Sequence, residues 1–150
     1  MIRRFFTCER GNSFIEMALA LPIIVGLLIG MVDISRGVST KLKLSQAAQR
    51  TVEKVQRSGF NYTDIATLKT EAETAAGTGS TATVTGWLEC GSSTTRQSFT
   101  SSCSGTEPYS RHVDVTITKK FTPIFGTQYF PGANSDGTYT VTGLAGMRVQ

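Results

Sequence analysis

The sequence predicts an α+β protein in which one long N-terminal helix packs on a small antiparallel sheet, with a short second helix between them. Three observations predict this class: an uncharged apolar run over residues 17–32, helical periodicity that continues to residue 58, and a period of two after residue 80. The chain has 150 residues, about one domain if it were soluble. Its 39% hydrophobic and 17% charged residues exclude a wholly disordered chain.

The long helix is expected over residues 14–58, because Gly59 is the first clear stop signal after the apolar run. Past that run, apolar or small residues recur every three or four positions: Ile34, Val38, Leu42, Ser45, Ala48, Val52 and Val55. This spacing predicts one stripe along the helix, on which the globular part packs. Packing of the same stripe against other subunits is compatible with that prediction.

The second half of the chain predicts a short helix followed by strands. Thr63 or Asp64 is expected to cap a helix that ends at Gly77. Beyond it, side chains alternate over residues 81–90 and 113–118, and a last strand opens at Tyr139. Three strands at hairpin-compatible separations predict a small antiparallel sheet, covered on one face by the long helix.

The N-terminus has a basic start, with Arg3, Arg4 and Arg10 before the apolar run, as in an export signal or a membrane anchor. Signal peptidase cleavage near residues 35–40 is one alternative. A membrane span over residues 13–34 is the other, and it includes two acids, Glu16 and Asp33. The simplest interpretation places Glu16 in the solvated headgroup region, where its charge costs little.

A sharper hypothesis for Glu16 follows from its spacing to Gly11. Cleavage after Gly11 would create a new α-amino group on Asn12, four residues before Glu16 and on the same helix face. The new cation and the carboxylate would then neutralise each other, within one chain or between neighbouring chains.

These residues resemble a class III prepilin signal: a short basic leader, a glycine, and an apolar helix with glutamate at its fifth position. The stretch RGNSFIEMALALPIIVGLLIGMVDISRG, followed by SQAAQR, resembles the TadE-like pseudopilins of tight-adherence pilus systems. The Cys-bounded loop, the segment HVDVTITKKFTPIF and the closing GMRVQ also resemble that family. The resemblance covers most of the chain and is strongest over residues 10–57.

The resemblance implies a minor pseudopilin with a structural role in assembling a tight-adherence type IV pilus. Residues 1–11 would be the leader, 12–34 the transmembrane helix, 35–58 its amphipathic extension and 59–150 an exported α+β domain. A prepilin peptidase would cut between Gly11 and Asn12, and Glu16 would act in assembly. The helix would lie in the bacterial inner membrane with a cytoplasmic N-terminus and a periplasmic or extracellular domain. Partners would be other pilins or pseudopilins and the assembly platform.

Cys90 and Cys103 bracket twelve residues that are nearly all small and polar. Such a loop buries little, and a disulfide across it would contribute about 3 kcal/mol in the chain-entropy model. The bond requires an oxidising compartment, which export provides. We therefore predict a Cys90–Cys103 disulfide, with two free thiols as the alternative. Cys8 would be an unpaired leader residue, lost on cleavage.

The sequence contains no signature of catalysis, a metal site or nucleic-acid binding. His112 is the single histidine, Asp114 follows on the same strand face, and no G-x-S-x-G element is present, so an exposed strand histidine is predicted. Three cysteines and one histidine cannot complete a zinc site without carboxylates, and no CxxC pair occurs. Asp33 and Arg36 are expected to form a solvated interfacial pair. No enzyme activity and no cofactor are predicted, and the absence of a basic run argues against nucleic acid.

Two other functions stay open at this point. One is a membrane-anchored exported binding or sensing module that keeps its N-terminus and does not polymerise. The other is a type II secretion pseudopilin or a major pilin. Tight-adherence major pilins are very short chains, whereas about 90 residues follow the helix here.

Overall fold

The computed structural model describes residues 12–91, 95–124 and 132–149, and these form the predicted α+β fold. Helix α1 spans Asn12–Ser58, and helix α2 spans Ile65–Ala76 after a 3-10 turn at Tyr62–Asp64. The strands are β1 (Ser80–Cys90), β2 (Gln97–Ser98), β3 (Tyr109–Phe121) and β4 (Tyr139–Arg148). The leader, with Cys8 and Gly11, lies outside the described residues.

Helix α1 runs for 47 residues without interruption, about 70 Å at 1.5 Å per residue. Pro22 lies inside it, and Gly59 follows its end with φ of +77°, a conformation that other residues rarely adopt. The predicted bounds of this helix are therefore confirmed to within two residues at its start.

Helix α2 begins differently from the prediction. The side chain of Asn61 accepts a hydrogen bond from the Thr63 backbone N–H, whereas Asp64 makes no side-chain cap bond. Asn61 thus caps the 3-10 turn that leads into α2, whereas Asp64 occupies the predicted N-cap position of α2 without a side-chain capping bond. At the other end Gly77 stops the helix as predicted, with its N–H donating to the carbonyls of Glu73 and Thr74.

The four strands form one antiparallel sheet in the order β2-β1-β3-β4. The β1–β3 pairing runs from Ser80 opposite Lys119 to Cys90 opposite Tyr109, and β3 also pairs with β4 along most of its length. Because β3 is paired on both sides, it extends well beyond the predicted residues 113–118. The two-residue strand β2 is additional, and its pattern is too short to detect in sequence.

The core lies between one face of the sheet and the two helices, as the alternation predicts. The sheet contributes Ala82, Val84, Val113, Val115 and Ile117, α1 contributes Leu44, Ala47, Ala48, Val52 and Val55, and α2 contributes Leu68 and Ala72.

The stripe predicted along α1 is correct only in its C-terminal half. Val52 and Val55 are buried, but Ile34, Val38 and Leu42 are 67%, 53% and 57% exposed. In this part of α1 the residues buried against the sheet domain are Asp33 and Leu44 instead of the predicted ones.

Gly143 lies where β4 packs tightly against α1. A Cβ atom at this position would lie 2.4 Å from the carbonyl carbon of Leu44 and 2.5 Å from the nitrogen of Ser45. Both are backbone atoms of a helix, which cannot rotate aside as a side chain can. Only glycine allows β4 to pack this closely on α1.

A disulfide joins Cys90 and Cys103, the pair proposed from sequence, with their Cα atoms 5.6 Å apart. It connects the end of β1 to the loop that precedes β3. Cys90 is buried, at 8% exposure.

Candidate functional site: the N-terminal helix and its junction with the sheet

The N-terminal half of α1 is an exposed apolar surface. Large side chains there have most of their area open, for example Phe14 at 80% and Leu27 at 71%. The most apolar stretch of 18 residues in this helix contains no buried residue. By length and composition this helix is able to cross a membrane, and an apolar surface of this size requires a non-aqueous or protein partner.

Glu16 lies one helical turn after Asn12, at the start of this surface, and its side chain is exposed. Gly11 and the side chain of Asn12 lie outside the described part of the chain. Cleavage after Gly11, and pairing of the resulting amine with Glu16, therefore stay predictions.

Asp33 is buried where the apolar half ends, and this overturns the predicted solvated pair with Arg36. Asp33 is 7% exposed, and both of its carboxylate oxygens accept the Ile124 backbone N–H at 2.9 Å. A guanidinium nitrogen of Arg36 lies 3.6 Å from Asp33 Oδ1, so the pair exists, but its acid is removed from water. The chain leaving β3 covers the carboxylate.

Arg36 also fixes the end of β3 against the helix. Its guanidinium carbon lies 5.5 Å from the centroid of the Phe121 ring. Together with the Asp33–Ile124 bonds, this contact ties residues 121–124 to the first turns of α1 beyond the apolar run. Asp33 follows Glu16 by 17 residues, about 25 Å of helix, against a hydrocarbon core of about 30 Å. An amide donor and a guanidinium lower the cost of an acid at that border.

A groove of about 580 Å³ lies beside this junction, between α1 and the adjacent ends of β3 and β4. Its apolar lining includes Ile34, Val38, Phe121, Tyr139 and Val141. The groove therefore extends the apolar surface of the helix onto the sheet domain.

His112 is half-buried in an aromatic stack, and the prediction of an exposed histidine is wrong. Its ring stacks on Trp87 with centroids 4.2 Å apart, and the guanidinium carbon of Arg96 lies 4.3 Å from the centroid of the Trp87 ring. His112 Nε2 is 3.1 Å from Ser110 Oγ and 3.7 Å from Glu89 Oε2. Sequence reasoning missed this stack because Trp87 and His112 become neighbours only through the β1–β3 register.

Asp114 does not orient His112 as the acid of a Ser–His–Asp triad would. Its Oδ2 accepts the Trp87 indole N–H at 2.9 Å and lies 3.4 Å from an Arg96 guanidinium nitrogen. In a triad the acid binds the imidazole nitrogen opposite the serine. No group of three or more potential metal ligands occurs within the residues that the structure describes.

Comparison with known families bears on the helix and its junction. Residues 11–52 match the family model described as TadE-like protein. The chain carries a TadE-like segment. This match confirms the TadE-like resemblance over the N-terminal helix and does not extend to the C-terminal segments. The TadE-like family suggests a role in Tad pilus systems. No curated protein and no solved structure matches the chain.

The TadE-like segment contains the whole apolar surface, Glu16, Asp33 and most of the helix face that packs on the sheet. It ends at Val52, six residues before the end of α1. The sheet lies beyond the match, so the contacts of Asp33 and Arg36 join the TadE-like segment to the remainder of the chain.

Proposed function

We propose that this chain is a minor pseudopilin of a Tad pilus system, processed by a prepilin peptidase and active in pilus assembly. The observation that carries the proposal is α1 itself, which lies within the TadE-like match over most of its length. Its first half is apolar and exposed, whereas its second half forms the core of a folded domain. Such a subunit can exchange lipid for the apolar helices of other subunits without unfolding its domain.

The proposed location is the bacterial inner membrane, with a single span, a cytoplasmic N-terminus and the sheet domain on the outer side. The Cys90–Cys103 disulfide supports this orientation, because disulfides persist in oxidising compartments. The proposed partners are other pilins or pseudopilins, the assembly platform and the prepilin peptidase. The exposed Ile34, Val38 and Leu42 extend the helix surface on which such subunits would pack.

Processing is tested by the mass and N-terminal sequence of the protein recovered from membranes. Cleavage after Gly11 is expected to remove about 1.4 kDa and to leave Asn12 first. Gly11→Phe should accumulate at full length, because a residue without Cβ allows a peptidase to approach the backbone closely. Gly30→Ala, a glycine substitution within the span, serves as the matched control and should be processed normally. If the unaltered protein keeps its N-terminal residues uncleaved, an anchored binding module is favoured instead. A mature chain that starts near residues 35–40 would indicate a secreted protein.

Glu16 is proposed to act in assembly rather than in folding. Moving α1 from lipid into a helical bundle takes its carboxylate further from water, so an opposite charge must accompany it. Glu16→Gln is therefore expected to leave membrane insertion and the disulfide intact while lowering recovery of Tad pilus partners at least several-fold in cross-linking from intact membranes. Glu53→Gln, an exposed acid on the same helix beyond the span, is the matched control. Equal partner recovery for both variants would contradict the assignment.

A further inference from the structure

Positive charge is concentrated at the end of the sheet domain nearest the apolar half of α1. Five basic residues lie there: Arg36, Lys41, Lys43, Lys119 and Lys120. The two acids at this end both have basic partners, since Asp33 pairs with Arg36 and Asp136 with Lys120. When Lys119, Lys120 and Asp136 are set aside, the residues after position 43 include equal numbers of basic and acidic residues. The excess charge of the domain therefore lies at one end.

Four of these side chains line a single cavity of about 470 Å³, which we call the basic pocket: Arg36, Lys43, Lys119 and Lys120. Ser39 and Thr122 also line it, and its lining includes no acidic residue. Ammonium, guanidinium and hydroxyl donors around one space are the groups that bind phosphate oxygens.

Two of the four cations are already engaged. Arg36 lies beside Asp33, and Lys120 donates a hydrogen bond to Asp136. That bond, with two further bonds from Thr138, lowers the pKa of Asp136 to about 2, so this acid stays ionised above that pH. Lys43 and Lys119 have no ion-pair partner within the described part of the chain. These two lysines give the basic pocket its uncompensated charge.

The basic pocket lies outside the hydrocarbon core, on the side of the sheet domain nearest the membrane surface, when residues 14–32 cross the membrane. Arg36 comes three residues after Asp33, and Lys43 ten residues after it, about 15 Å along the helix. Side chains on an α-helix lean toward its N-terminus, so Lys43 extends back toward the membrane. Strand β3 runs toward the same end, because Phe121 lies under the Arg36 guanidinium. Lys119 and Lys120 are thereby brought to the same level as Lys43.

We propose that the basic pocket binds the phosphate of an anionic phospholipid headgroup. The phosphate would lie between Lys43 and Lys119, with hydroxyl donors from Ser39 and Thr122. Binding would hold the sheet domain against the membrane surface. It also gives a reason why basic residues follow the span directly, although they reduce the excess of positive charge that the cytoplasmic side of a span usually has. The inference rests on the membrane placement of α1 and not on pilus assembly.

The test uses the full-length protein in a neutral detergent, titrated with phosphatidylglycerol or phosphatidylcholine of identical acyl chains and followed by native mass spectrometry. Phosphatidylglycerol is expected to bind more tightly. The double variant K43Q/K119Q should bind it about 25-fold more weakly, since each lysine near a membrane surface contributes roughly fivefold. K43Q alone should lose about fivefold, and K43R/K119R should keep the affinity. Lys69→Gln removes an exposed lysine on α2 and should change nothing.

Three results would overturn the proposal. The first is equal affinity for the two lipids, or a double variant that behaves like K69Q. The second is displacement of phosphatidylglycerol by millimolar inorganic phosphate, which would make the basic pocket a site for a free anion. The third is that K43Q/K119Q keeps its lipid affinity but no longer binds an acidic protein partner in membranes, which would make the basic pocket a site for a protein. None of these readouts depends on N-terminal processing or piliation.

Discussion

Gly143→Ala is expected to destabilise the sheet domain by about 1–3 kcal/mol or more, the range for forcing extra atoms into a packed core. The new methyl carbon would lie 2.4 Å and 2.5 Å from backbone atoms of Leu44 and Ser45. Neither atom can move without bending α1, so β4 must shift away from the helix and open the core around Leu44. The expected result is a lower urea midpoint with little change in slope.

The measurement follows the fluorescence of Trp87, the single tryptophan, which lies in β1. Gly30→Ala is the matched control, because a Cβ at that helical position meets nothing within 4 Å. Alanine also favours helix over glycine, so this control should unfold at the same urea concentration or slightly higher. A Gly143→Ala midpoint equal to that of the control would show that the contact relaxes without cost.

Cys90→Ser is expected to cost about 3 kcal/mol of folding free energy, the value for a loop of this length in the chain-entropy model. The two cysteines are 13 residues apart, and the loop between them is rich in small polar residues that bury little. Without the bond, the end of β1 loses its covalent tie to the loop before β3. Cys103 should then become alkylatable, and the urea midpoint should fall.

The leader cysteine provides the control when all variants are compared as the unprocessed full-length chain, because Cys8→Ser then removes a thiol that takes no part in the disulfide. Reductant should lower the midpoint of the unaltered protein and of Cys8→Ser, but should have no further effect on Cys90→Ser. Two alkylatable thiols at positions 90 and 103 in protein purified from membranes would contradict the predicted bond.

The elements whose signals are local were predictable from sequence. Val113, Val115 and Ile117 alternate with polar residues, and all three are buried on the helix-facing side of the sheet. The stops at Gly59 and Gly77 were also predictable, because glycine readily adopts the positive φ found at both positions.

The features that depend on distant residues were not predictable. Asp33 is buried by Ile124, which is 91 residues away in sequence, and no local pattern near Asp33 indicates this. The basic pocket likewise combines residues from α1 and β3, so its charge is not visible as a basic run. In contrast, Gly11 and Glu16 were selected from a contiguous motif, and the roles assigned to them stay predictions.

The continuity of α1 has a mechanical consequence. Because the helix passes from the proposed span into the core without a hinge at the membrane border, the domain has no independent orientation. Transmembrane helices tilt by about 20° on average, and Ser58 lies roughly 50 Å along the helix from the middle of the span. Such a tilt would carry the far end of the helix about 17 Å sideways. Bilayer thickness, by setting the tilt of the span, therefore sets the direction in which the domain points. A force applied to the domain is likewise transmitted along α1 to the membrane as a torque.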